Sequence, residues 1–166
     1  MMELKKVIRM SMLISLSVVI SIIESYIPIF NNMIPGLRLG LSNIIIIFVL
    51  YKYSFKDSMY VSIVRVILVG LLRTGLFSIS FFFSLFGAFF SLISMIITKK
   101  TKIFSVVGVS IIGSLAHSLG QVLIATLLLK NENIIYYLPY LLIFSIPTGI
   151  ITGLISKKII NYNINI

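Results

Sequence analysis

Six apolar runs, parted by short clusters of charge, constrain this chain more than any other feature of its sequence. They lie at about Val7 to Ile27, Leu39 to Tyr53, Ser58 to Leu72, Phe77 to Ile97, Phe104 to Leu129 and Ile134 to Ser156. A helix needs about 20 apolar residues to cross the hydrocarbon core of a bilayer. A soluble domain carries about 25% charged residues; here 11% are charged and 59% hydrophobic. A chain of 166 residues cannot hide so much apolar surface from water. The expected fold is therefore an all-α integral membrane protein, a single six-helix transmembrane domain over 1–166 with no separate soluble domain. Lys5, Lys6 and Arg9 before the first run imitate a signal peptide, but no small-residue cleavage site follows. That run is expected to stay as the first helix.

Charge placement orients the bundle. Cytoplasmic loops are enriched in Lys and Arg. With the N-terminus inside, the inner segments hold Lys5, Lys6, Arg9, Lys52, Lys56, Lys99, Lys100, Lys102, Lys157 and Lys158, against Arg38, Arg73 and Lys130 outside. The alternation predicts both termini in the cytoplasm. It also requires the short second run to be a span of its own, with Lys52, Lys56 and Asp57 turning the chain at the surface. The net charge of +10 is thus assigned to membrane orientation rather than to nucleic acid. There is no cysteine, which excludes disulfides and thiolate chemistry.

Orientation gives each polar residue a depth, at about 1.5 Å per helical residue. Glu24 falls near the outer end of the first helix, Arg38 and Asn43 at the outer start of the second, and Arg65 near mid-membrane in the third. Arg73 ends the third helix. His117 and Gln121, four apart and so on one face, lie in the outer half of the fifth. A charge inside a bilayer costs about 3 kcal/mol on insertion scales, so Glu24 and Arg65 must face a partner or a wet cavity. The seven residues are candidates for a substrate pocket open to the outside. Guanidinium groups bind anionic or phosphorylated groups through paired hydrogen bonds. Other roles stand beside this one: Glu24 pairing with an arginine between helices, Arg73 snorkelling to the interface, and His117–Gln121 as an interhelical pair. Tyr136, Tyr137 and Tyr140 fit an interfacial belt or a pocket wall.

The centre of the pattern is Pro35-Gly36-Leu37-Arg38-Leu39-Gly40-Leu41-Ser42-Asn43, a turn in which glycines and a proline flank an arginine. With Arg65-Val66, the run Gly113-Ser114-Leu115-Ala116-His117-Ser118-Leu119-Gly120-Gln121 and Tyr137-Leu138-Pro139, it resembles the Gx transporter family, also labelled heptaprenyl diphosphate synthase component I. The resemblance covers nearly the whole chain. That family is similar to the substrate-binding S-components of energy-coupling factor (ECF) transporters. The resemblance implies an ECF S-component-like bundle in a bacterial cytoplasmic membrane, binding a small vitamin- or isoprenoid-related molecule near the outer face. It also implies a membrane coupling subunit and two ATPases as partners. S-components typically carry Ala-x-x-x-Ala on the first helix; here the matching residues are Ser11 and Ser15, the expected partner contact. Within-bundle packing is the other reading of that small-residue face.

Catalysis is not expected, and neither is a cofactor or metal. The chain has no Gly-x-x-x-x-Gly-Lys-Ser/Thr phosphate loop, so it cannot hydrolyse ATP by that device. Prenyl chain elongation needs clustered aspartates to hold magnesium on a diphosphate, and Asp57 is the one aspartate. The synthase label therefore leaves, as the alternative function, a non-catalytic membrane partner of a prenyl diphosphate synthase. A stand-alone carrier would need a larger assembly, since no inverted repeat is visible.

Overall fold

A computed structural model describes residues 2–26 and 40–162. The described chain is all helical: α1 (Met2–Ser25), α2 (Asn43–Lys52), α3 (Phe55–Val69), α4 (Ile79–Thr101), α5 (Val106–Leu129) and α6 (Leu138–Asn161). A π-helical turn, Gly70–Thr74, extends α3, and a 3-10 segment, Glu132–Tyr137, leads into α6. Among the described residues, four stretches are long and apolar enough to cross a membrane: Leu4–Ser25, Ile79–Thr101, Val106–Leu129 and Glu132–Asn161. The other two helices are shorter. Ten residues of α2 rise only about 15 Å.

Local chemistry sets these bounds. The α2–α3 turn is confined to Tyr53 and Ser54, and Lys56 and Asp57, expected in the turn, lie in the first turn of α3. The reason is a capping box. The Ser54 hydroxyl accepts from the Asp57 backbone N–H at 3.2 Å, and the Asp57 carboxylate accepts from the Ser54 N–H at 3.3 Å. Each satisfies a donor that the helix start would leave open. Lys6 reaches Asp57 from α1 at 2.8 Å. Its hydrogen bond holds the Asp57 carboxyl below the ordinary range, though with Lys6 exposed to solvent the pair adds only about 0–1 kcal/mol. Ser78 and Ser105 cap α4 and α5 with the serine half of this device alone, each accepting a backbone N–H three residues on.

α5 is the centre of the bundle, packed along α4 on one side and α6 on the other, while α1 lies against α3. The α5–α6 seam is built from small residues. A Cβ on Gly149 or Gly153 would come within 2.7 Å of the Ile111 Cα or 2.8 Å of the Val107 Cα. Ser110–Thr152 at 2.7 Å and Ser118–Ser145 at 2.5 Å bridge the two helices. Such close approach is how helices gain packing and hydrogen bonds without a hydrophobic drive between them. α2 is apolar on every side and almost wholly enclosed, with Ile46, Ile47 and Val49 buried. A helix apolar all round belongs in an interior. Lys99 of α4 donates to its Leu50 carbonyl at 2.5 Å, which satisfies a carbonyl that the helix end leaves open. Outside, α1, α4, α5 and α6 display Met12, Phe89, Leu127 and Ile143, all more than half exposed.

Candidate functional site

The start of α2 is where the polar residues meet. Gly40 adopts φ +84°, a left-handed angle that side-chain-bearing residues resist. Its carbonyl accepts the Asn43 N–H at 2.9 Å, and the next two amides bond three residues back in turn. That tight entry leaves the Gly40 N–H facing α1, where the Glu24 carboxylate accepts it at 2.5 Å. Glu24 itself is buried. Two residues on, the Ser42 hydroxyl accepts from Arg65 Nη1 of α3, also at 2.5 Å. Asn43 donates its side-chain amide to Ser91 of α4 at 3.1 Å. A charged partner roughly doubles the strength of such bonds.

α5 supplies the other wall. His117 and Gln121 are both buried, with their side-chain nitrogens 3.1 Å apart. The imidazole sits between two glycines. A Cβ on Gly40 would lie 3.4 Å from His117 Cδ2, and one on Gly87 of α4 would lie 2.9 Å from Cε1. Glu24, Ser42, Arg65 and His117 line one cavity with Ser21 and Ser84, whose free volume is about 10 Å³. That is room for about one water. A carboxylate, a guanidinium and an imidazole thus share one wall in a low-dielectric interior, where each acts far more strongly than in water.

Of the seven residues expected to bind substrate, the structure gathers Glu24, Asn43, Arg65, His117 and Gln121. Arg38 lies outside the described residues. Arg73 is elsewhere: it is exposed, donates Nε to Ser25 at 3.2 Å and stacks 4.2 Å over the Tyr26 ring. It fastens the end of α1 to the end of α3. Tyr136 and Tyr140 are exposed, and Tyr137 packs on the Phe83–Leu141 core. Gly87 and Ser91 were not among the expected residues. Their spacing from Ser84, at three and seven, marks one helical face, and that was the signal available in the sequence.

Ser11 and Ser15 belong to a second feature. Both are exposed on α1 beside a groove of about 830 Å³, whose far wall is Phe48 of α2 and Tyr53 of the turn after it. Their hydroxyls bond back to the Val7 and Ser11 carbonyls at 3.0 and 2.9 Å.

A family model described as heptaprenyl diphosphate synthase component I matches residues 13–159. No curated protein and no solved structure matches the chain.

Proposed function

The chain belongs to the heptaprenyl diphosphate synthase component I family, and on that premise we propose that it is a membrane-embedded, substrate-binding subunit without catalysis of its own. The observation that carries the proposal is the convergence of polar groups from α1 to α5 on one buried cluster. A structural ion pair needs two residues; here Glu24, Ser42, Asn43, Arg65, His117 and Gln121 are held together, with Gly87 leaving room for the imidazole and Gly40 for the Asn43 amide. Inside a membrane bundle, buried ionisable groups mark a candidate functional site. The substrate is a small molecule, anionic or phosphorylated, entering from the outer face. The test is native mass spectrometry of the purified protein, with the retained small molecule identified by its mass. Protein that emerges consistently empty from several lipid and detergent preparations would count against the proposal.

The topology proposed with it has six spans, both termini in the cytoplasm, and the cluster in the outer half. Reporter fusions at the two ends are both expected to read cytoplasmic. An external signal from either end overturns the six-span arrangement.

Energy for uptake would come from a membrane coupling subunit and two ATPases, as in the ECF transporters whose S-components the sequence resembles. The exposed Ser11–Ser15 face is the proposed contact. Replacing both serines with leucine should weaken co-purification with a coupling subunit about tenfold while leaving ligand binding intact. Equal loss of folding and of binding would make the face internal packing instead.

The second reading is a non-catalytic membrane partner of a prenyl diphosphate synthase, and the family description favours it. Co-purification separates the two. ATPase and coupling subunits support uptake; a prenyl synthase alone supports the second reading.

A further inference from the structure

The groove along α1 has a polarity that the polar cluster does not explain. Arg9 stands at its N-terminal end, half-buried, and among the described residues it makes no ion pair or hydrogen bond. Lys6, by contrast, is committed to Asp57 at 2.8 Å. Beyond Arg9 the walls are Met12, Leu16 and Val19 on α1 and Phe48 on α2. Ser11 and Ser15 do not change this character, because their hydroxyls donate to carbonyls of their own helix. The groove is therefore one cation followed by an apolar trough. From Arg9 to Val19 the trough rises about 15 Å, half of the roughly 30 Å hydrocarbon core and so the depth of one leaflet.

We infer that this groove is a binding site for an anionic phospholipid, its phosphate at Arg9 and an acyl chain laid along Met12, Leu16, Val19 and Phe48. The guanidinium fork matches phosphate oxygens with two parallel hydrogen bonds. Lys5, one turn earlier and exposed, adds a second charge at headgroup level. The inference rests on the membrane reading with a cytoplasmic N-terminus, which puts Arg9 at the inner leaflet. It does not rest on the polar cluster. Since Ser11 and Ser15 line the same groove, lipid and a coupling subunit are alternative occupants, and assembly would displace the lipid.

The experiment is native mass spectrometry of the protein purified from equal mixtures of phosphatidylglycerol and phosphatidylcholine. Wild type should retain phosphatidylglycerol preferentially. Arg9→Gln should cut that preference about fivefold, the value of one cation at a charged membrane surface. Ser15→Phe, which fills the trough, should lower retention of both lipids. Lys158→Gln, on the separate basic end of α6, should leave both unchanged. Equal retention of the two lipids by wild type overturns the inference and leaves the groove to a partner's helix. So does a preference undiminished in Arg9→Gln, or undiminished retention in Ser15→Phe, each of which puts the lipid elsewhere. Complete displacement of phosphatidylglycerol by equimolar geranylgeranyl diphosphate also overturns it, in favour of an isoprenoid occupant.

Discussion

Arg65→Gln is expected to weaken binding of an anionic ligand by about ten- to a hundredfold. The figure is the loss of one charge-assisted interaction, about 1.5–3 kcal/mol. The structural position makes the effect compound. Arg65 is 3% exposed and donates to Ser42 at the mouth of α2, so its removal also frees the turn that carries Gly40. Glu24 lines the same cavity and would lose a neighbouring positive charge. Stranding a buried carboxylate costs about 3–5 kcal/mol, so the single variant should melt at a lower temperature as well. The double variant Arg65→Gln, Glu24→Gln separates the roles. If Arg65 serves the ligand, thermal stability returns in the double variant and affinity stays low. Stability and affinity both returning to the wild-type level would make the arginine purely structural. Ligand recognition would then pass to the His117–Gln121 face and to Arg38.

The sequence made parts of this site readable for different physical reasons. Arg65 and Glu24 were visible because a charge in an apolar run demands an explanation wherever it falls. His117 and Gln121 were visible through their spacing, which is a helix property that tertiary contacts do not alter. Arg73 shows the limit. Its position at a helix end was legible, but its partners, Ser25 and Tyr26, lie 48 and 47 residues away, and no local pattern encodes such a contact. Gly87 was missed because its spacing from Ser84 marks only a helical face, and the imidazole it makes room for comes from another helix. The turn before α3 was misplaced for a similar reason. Charged residues suggest a surface turn, whereas Asp57 three places after Ser54 is also a helix-start signature, and the hydrogen bonds decide for the helix.

Gly40→Ala should lower both stability and ligand affinity, and its comparison with Gly75→Ala tells the two effects apart. Both glycines have φ +84°, a sparsely populated region where a Cβ costs about 1–3 kcal/mol. Their surroundings differ. At Gly75 the new methyl would meet nothing nearer than Ser78 Cβ at 3.9 Å, so backbone strain is the whole effect. At Gly40 it would lie 2.9 Å from Asn43 Nδ2 and 3.4 Å from His117 Cδ2. The Asn43 amide would have to shift, straining its bond to Ser91, while the imidazole would stay at ordinary contact distance. The Gly40 N–H would also shift from the Glu24 carboxylate it now serves. Gly75→Ala should therefore melt earlier with unchanged affinity for the retained ligand, while Gly40→Ala should lose about tenfold in affinity on top of its lower melting temperature. The two are measured by thermal unfolding and by ligand titration of the same preparations. Wild-type affinity in Gly40→Ala would mean that the cluster at the start of α2 holds helices together and that the ligand binds elsewhere.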